Sequence, residues 1–374
     1  MYKADPTLDI SWTQALEFYR ARRGVLFLSY CRFWERHGFV QQSLAQKLAR
    51  SGVRVKWLDG TGWRNYNPVV VDPVRTLSVA QLPSLPMRRL PLVSHWDLKG
   101  KVAFIKRRIR RLGGNPVIWV QAGIDERLAA ELPYIDVFSV FDDPYRHEAG
   151  GPLCTKARVI VTQNRMAQSV LEAHAEKTHR LWPPVDMEDS TLRASAEVFL
   201  PPGFPEKTMG YVGSFFSDGF DLNLFEHFIQ RFPDWGFILM GRTDAAGLER
   251  VRALRAYRNF HYFPWVPRDQ VAAVWKKIRV TLLFYLPNRT QDGAFPVKIV
   301  EGLKFGAPCI ATAVPKTADL EGVFPRSNDR ETLIASVETV RAMDPAVLRG
   351  QFERFQLEMS PTQHLSRVAQ WLQK

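Results

Sequence analysis

The chain has 374 residues, 46% hydrophobic and 24% charged, which fits two globular domains and excludes a disordered or fibrous protein. Its formal net charge of +13 points to an anionic partner (nucleic acid, a phospholipid surface or a phosphorylated substrate) without choosing among them. Cys31, Cys154 and Cys309 are isolated, with no CxxC spacing and no histidine pairing near them. Neither a metal site nor a disulfide framework is expected, and a reducing cytoplasm suits such a chain.

The first apolar run, "VLFLS" at 25–29, is too short for a signal or a membrane span, and no run of about eighteen apolar residues occurs. The expectation is a soluble or peripheral protein. "VLFLSY" (25–30) reads as a buried strand, "FVQQSLAQKLARSG" (39–52) as a helix stopped by glycine, and "VRVKWLDG" (53–60) as a second strand. Residues 60–97 are rich in proline and read as irregular. The stretch "KGKVAFIKRRIRRLGG" (99–114) sets Val102, Ile105 and Ile109 near helical spacing among many cations. It reads either as a basic amphipathic helix resting on anionic lipid or as a solvated basic face. "PVIWVQAG" (116–123), "IDVFSVFDD" (135–143) and "ARVIVTQN" (157–164) are further strands, apolar enough to be buried on both faces.

Five prolines and little periodicity mark 182–208, where the interdomain linker is placed, at 191–207. A second alternating series follows: "MGYVGSF", "GFILMG" (236–241), "FHYFPWV" (260–266), "VTLLFYLP" (280–287) and "APCIAT" (307–312), with two more helices closing the chain. Strands alternating with helices of roughly ten to fifteen residues predict parallel, doubly wound sheets. The expected architecture is α/β: two tandem Rossmann-like domains, 1–190 and 208–350, facing a cleft, with the helical tail 351–374 returning toward the first.

Ligands of such sheets bind beyond the carboxyl ends of the strands. The first strand of the second domain ends in Gly213-Ser214, where glycine permits close approach to the backbone; an ordinary tight turn is the plainer reading. The motif is not GxGxxG, so a dinucleotide fingerprint is absent. Gly241-Arg242 ends another strand, and its arginine reads as a phosphate clamp or as a solvated surface group. In "FPWVPR" (263–268), Trp265 and Val266 form a loop suited to a flat base or to simple packing. In "FPVKIVEGLKFGAPCIAT" (295–312), Pro296 fits the N1 position of a helix. Lys298 then sits against the positive end of the helix, an awkward place for a cation unless an anion joins it there. Glu301 lies one turn on, and the alternative is a plain i,i+3 ion pair.

Together, "YVGSF…GFILMGR…FHYFPWVPRDQV…VTLLFYLPNRTQDGAFPVKIVEGLKFGAPCIAT" resembles the donor domain of GT-B-fold glycosyltransferases, nearest to bacterial enzymes building capsule, exopolysaccharide or teichuronic-acid-type polymers. The resemblance covers roughly residues 24–345 and is looser in the first half, on "VFSVFDDPY" and "VTQNRMAQSV…LWPPVD". It implies a nucleotide-sugar donor, with a UDP-sugar favoured. Glu301 would bind the ribose and Lys298 the diphosphate, with Gly213, Ser214, Gly241 and Arg242 near the diphosphate and Val266 near the base. Many relatives carry a Glu eight residues before the ribose Glu; here that position is Gly293, beside Asp292. The departure puts the retaining pattern in doubt and favours a subgroup that lacks it, including inverting glucuronosyl-type enzymes; the transfer expected is hexosyl- or glucuronosyl-type.

Fixed positive charge stabilises the leaving group in this design, so no metal or other cofactor is expected. An inverting reaction needs a carboxylate base from the acceptor side. Asp142 and Asp143 at a strand end rank first as that base, with Asp142 put ahead by the resemblance alone; a turn cap before Pro144 ranks second and a metal site third. His37, after the first strand, is an acceptor-side candidate. The expected acceptor is a saccharide or lipid-linked saccharide in bacterial surface polysaccharide synthesis. The enzyme would work in the cytoplasm at the inner face of the plasma membrane, held by 99–114. The rivals are a GT-B nucleotide-sugar epimerase and a basic nucleic-acid- or membrane-binding protein; no nucleic-acid motif supports the second.

Overall fold

The computed structural model describes residues 10–29, 40–62, 69–70, 76–83, 91–141, 143–147, 150–185, 198–264 and 268–374. Contacts divide the chain into two units, Met1–Val185 with Glu358–Lys374, and Asp186–Leu357. In the first unit the elements run α1 (Trp12–Ala21), β1 (Val25–Leu28), α2 (Val40–Arg50), β2 (Val55–Gly62), β3 (Val69–Val70), β4 (Leu77–Pro83), α3 (Pro91–Arg111) and β5 (Val117–Gln121). They continue with α4 (Glu126–Glu131), β6 (Ile135–Val140), α5 (Pro152–Lys156), β7 (Ala157–Thr162), α6 (Arg165–Val170) and β8 (Thr178–Arg180). The sheet order is β3-β4-β2-β1-β5-β6-β7-β8, parallel throughout except for β3. Val25 pairs with Val55 on one side and Val117 on the other. Every residue of β1, β5 and β6 is buried, as continuous apolar runs require when helices cover both faces.

The stretch 60–97, read as irregular, in fact holds the end of β2, all of β3 and β4, and the first turns of α3. β4 has its apolar residues interrupted by Ser78 and Gln81 and sits near the sheet edge, so it lacks the apolar run that marks β1 or β5. α3 begins at Pro91, a residue suited to a helix start because its missing N–H has no helical partner there. Its inner face carries Val102, Ile105 and Ile109 into the core beside Leu26, Leu58 and Ile118.

The second unit runs β9 (Thr208–Val212), α7 (Leu222–Arg231), β10 (Gly236–Met240), α8 (Ala245–Leu254), β11 (Phe260–Phe263), α9 (Arg268–Trp275) and β12 (Val280–Leu283). Then come α10 (Lys298–Lys304), β13 (Cys309–Thr312), β14 (Arg326–Ser327), α11 (Arg330–Arg341) and α12 (Pro345–Glu358). Its parallel six-stranded sheet has the order β11-β10-β9-β12-β13-β14. The chain winds outward from β9 in one direction and then from β12 in the other, which makes the β9/β12 border the topological switch point.

Three helices, rather than two, close the chain. The last, α13 (Pro361–Gln373), belongs to the first unit, where Leu365, Val368, Ala369 and Leu372 join the core of Ala15, Tyr19, Leu48 and Trp119. The Tyr19 hydroxyl donates to the Leu365 carbonyl at 2.9 Å, and the His364 ring stacks on Trp119 at 5.9 Å. Among the described residues no helix is long and apolar enough to cross a membrane.

Candidate functional site

The strand-end loops at the switch point of the second sheet are built on glycine for a reason the backbone makes plain. Gly213 follows β9 at φ +154° and Gly241 follows β10 at φ +138°, in the region that L-residues avoid. A methyl on Gly241 would overlap the Gly213 carbonyl, with the carbonyl carbon 2.6 Å away. One on Gly213 would stand 2.9 Å from the Tyr211 hydroxyl and 3.2 Å from Lys298 Cε. The two loops are laced together: Gly213 N–H donates to Met240 O at 2.9 Å, and Phe215 N–H to Arg242 O at 2.9 Å. Tyr262 Oη donates to Gly241 O at 2.9 Å, and Tyr211 Oη to Ser214 O at 3.1 Å. The side chains of Ser214 and Arg242 are exposed beyond this lacing.

Lys298, far along the chain from Gly213, meets it here. It reaches the same place because β12 lies beside β9 and α10 starts just beyond the carboxyl end of β12. Its Nζ is 2.9 Å from Glu301 Oε2, with side-chain exposures of 31% and 16%. The i,i+3 ion pair thus forms, and it borders the Gly213 loop. The helix entrance differs from the sequence expectation. Pro296 precedes the N-cap Val297, so Lys298 is the first helical residue. The N–H groups of Val297, Ile299, Val300 and Glu301 donate to Phe295, Pro296, Val297 and Val297 carbonyls at 2.9–3.3 Å. The tightened first turn spends donors that the sequence reading had left open to an anion. The positive charge at this entrance therefore rests on the Lys298 side chain.

Sequence reasoning missed the groups that back this pair. Tyr211 and Tyr285 are buried together beneath it, ring centroids 6.0 Å apart. Burial pushes the Tyr211 phenol up to about 12, and burial first, then Tyr211 and in smaller part Glu301, raise Tyr285 well above the ordinary range. Both stay neutral donors next to an acid. Lys316 Nζ lies 4.4 Å from the Tyr285 ring centroid and donates to Gln291 Oε1 at 3.1 Å. Nothing in "FYLP" or "VPKTADL" shows that these residues meet, since the fold alone brings them together. Asp292, beside the missing acid at Gly293, is buried.

In the first unit, Asp143 follows β6, and Pro144 opens the 3-10 turn Pro144–His147. Asp143 Oδ2 is 3.2 Å from Arg146 Nε, while its Oδ1 is buried without a hydrogen-bond partner. The buried His147 was also missed. Its ring stands edge-on to Phe138 at 5.0 Å, with Nδ1 3.4 Å from Glu126 Oε1. Burial holds the His147 imidazole below its ordinary range, opposed by Glu126 and Asp143. Asp142, His37 and Val266 lie outside the described residues. Among the described residues no cluster of three or more His, Cys, Asp or Glu is placed to hold a metal ion.

Two Rossmann-like units, each a parallel sheet wrapped by helices, with a last helix returned to the first unit, have close counterparts among solved structures. The catalytic domain of starch synthase IV from Arabidopsis thaliana, bound to ADP and acarbose, matches with a TM-score of 0.64 at 11% identity, over 94% of this chain and 99% of that one. Sucrose-phosphate synthase from Thermosynechococcus elongatus matches at 0.62 and 14%, over 92% and 96%. Anabaena HepE, in complex with UDP and glucose, matches at 0.55 and 12%, over 92% and 94%. The chain has the GT-B fold of glycosyltransferases. Within this GT-B protein, residues 206–343 match the family model described as glycosyl transferases group 1. That match takes in most of the second unit, including both strand-end glycines and the Lys298–Glu301 pair. No curated protein sequence matched the chain.

Proposed function

We propose that this GT-B protein is a glycosyltransferase that moves a sugar from a nucleotide-sugar, a UDP-sugar by preference, to a saccharide or lipid-linked saccharide acceptor in bacterial surface polysaccharide synthesis. The observation that carries the reading is the meeting of Lys298 and Glu301 with the Gly213 and Gly241 loops at the switch point of the second sheet. Crevices beyond the carboxyl ends of such sheets are where ligands bind.

The chemistry follows from the charges. The Lys298–Glu301 pair is partly exposed and worth a few tenths of a kcal/mol, so a nucleotide can exchange it readily. The Lys298 ammonium then turns to the diphosphate and Glu301 accepts from the two ribose hydroxyls. As the glycosidic bond breaks, negative charge gathers on the departing diphosphate. A fixed cation beside it stabilises the transition state more than the ground state. Glycine at 213 and 241 leaves the backbone bare where the diphosphate lies, and Arg242 supplies a second cation at its edge. Val266 stands on the base side. A carboxylate of the Asp142-Asp143 pair takes the acceptor proton. Asp142 ranks ahead of Asp143 on the resemblance, and His37 is kept as an acceptor-side contact. The reaction in this reading uses no metal. It takes place on an anionic membrane surface in the cytoplasm, and the hexosyl or glucuronosyl type follows from which donor binds.

Calorimetric titration with UDP, GDP, ADP and CMP, repeated on Glu301→Ala, tests the donor site. Micromolar binding of one nucleotide, lost in the variant, is the expected result. Failure of all four to bind would reduce the pair to an ordinary surface ion pair.

A further inference from the structure

The basic stretch 99–114 reads either as a basic amphipathic helix resting on anionic lipid or as a solvated basic face. Its apolar residues Val102, Ile105 and Ile109 are buried in the core of the first unit, so they do not face a lipid surface. What remains outside is a different surface. Leu92, Trp96, Lys99, Ala103, Arg107 and Arg110 are all exposed and follow one another by three or four positions, so they form one stripe along α3. Leu92 is 80% exposed and Trp96 63%, two of the most exposed large apolar side chains described. The stripe is thus apolar at its first two turns and cationic along the rest.

The cationic end is unneutralised. The single acid on α3, Asp97, faces inward and is tied to Lys101 at 2.5 Å. Lys106, Arg107, Arg110 and Arg111 form no ion pair with any described residue. Arg54, just before β2, and Lys56 within it add to the same patch. Burial first, then Arg108, Arg111 and Arg54, hold the Lys56 ammonium below its ordinary range, and burial, Arg111 and Arg107 do the same to Arg108. Like charges gathered this way repel one another until an anionic surface meets them.

We propose that the outer stripe of α3 is an interfacial anchor for an anionic phospholipid bilayer, with Leu92 and Trp96 entering the headgroup–acyl boundary and Lys99, Lys106, Arg107 and Arg110 lying on the lipid phosphates. Lipid, rather than nucleic acid, is the occupant the geometry fits. The stripe runs along a 21-residue helix whose opposite face is buried in its domain, so its exposed residues share one side. Its apolar end gains from burial in hydrocarbon, and an indole belongs at a bilayer interface. This deepens the membrane part of the proposed function and leaves the donor site untouched.

The test is co-sedimentation of the full chain with phosphatidylcholine vesicles, with and without phosphatidylglycerol. The expected result is binding to the anionic vesicles only. Combined Lys106→Gln, Arg107→Gln and Arg110→Gln should weaken it about a hundredfold, as three interfacial cations would. Leu92→Ser with Trp96→Ser should weaken it about tenfold, and the loss should persist at high salt where the cationic part is screened. All these positions are exposed, and unchanged thermal melts confirm the fold. Equal binding to neutral vesicles, no binding to either, or an oligonucleotide held more tightly than vesicles and indifferent to the Leu92/Trp96 variant would each overturn the proposal. Nucleotide titration of the same variants separates the two readings: vesicle binding without nucleotide binding sinks the donor site alone, and the reverse sinks the anchor alone.

Discussion

Gly241→Ala is the most informative single change in the second unit. The added methyl would run into the Gly213 carbonyl, 2.6 Å from its carbon and 3.3 Å from Ser214 N, and these are backbone atoms that no rotamer can move aside. The residue also holds φ +138°. Strain of that kind costs about 1–3 kcal/mol, and overpacking about 1–3 kcal/mol more, so about 2–6 kcal/mol is expected. Gly306→Ala is the control. It holds φ +75° at the end of α10 but its methyl would meet nothing within 4 Å, leaving only the left-handed backbone cost of about 1–2 kcal/mol. Urea unfolding gives both values. Titration with the nucleotide that binds the native chain should show Gly306→Ala unchanged and Gly241→Ala weakened at least tenfold, because the Gly213–Ser214 loop must shift to make room. Equal stability of the two variants, together with intact binding by Gly241→Ala, would refute the argument that these glycines are there for close backbone approach.

Lys298→Met should weaken nucleoside diphosphate binding by about ten- to a hundredfold while barely affecting the nucleoside, the loss expected for one charge-assisted contact; a calorimetric comparison of the two ligands checks it. His364 is 1% exposed, and burial holds its imidazole down at about 3, against 6.5 in the unfolded chain. The neutral ring favours folding, so its contribution is whole above pH 6.5 and is lost as the pH falls from 6.5 toward 3, amounting to about 2 kcal/mol by pH 5. Urea midpoints measured across this range should fall with acidity, and His364→Phe should flatten the fall; an equal slope in both would place the acid sensitivity elsewhere. Asp136, 1% exposed, accepts from Arg22 at 2.9 and 3.0 Å and from Ile118 N–H at 2.9 Å. Asp136→Ala leaves those donors unpaired and should cost about 3–5 kcal/mol, whereas a cost below one would mean that water replaces the carboxylate.

How much of this was written in the sequence follows from burial. β1, β5, β6, β7, β9, β10, β12 and β13 were legible because strands covered on both faces are apolar at almost every position. β3, β4, β8 and β14 were not, because they are short or lie near sheet edges and carry no such run. The third closing helix was missed, since α12 buries only Leu348 and Phe355 and leaves little periodicity to read. In the second unit, Gly213, Gly241, Lys298 and Glu301 could be singled out because each follows a legible strand or opens a helix. Tyr211, Tyr285, Lys316 and the buried His147 could not, as each earns its place through a neighbour distant in the chain.

The sequence by itself determined the alternation of strands and helices, and with it the parallel sheets, the strand-end positions where ligand chemistry belongs, and the excess of positive charge. Those are properties of local pattern and composition, and they survive any arrangement of the elements. Only the tertiary structure decided which strand ends become neighbours, so that Lys298 meets Gly213 across the β9/β12 border. It also settled which side of α3 is spent on the core and which is left outside as a stripe of Leu92, Trp96 and cations. The physical reason is the same in both cases. A side chain's contacts depend on what the folded chain brings against it, and burial of one face of a helix or sheet fixes, at a stroke, the company kept by the other.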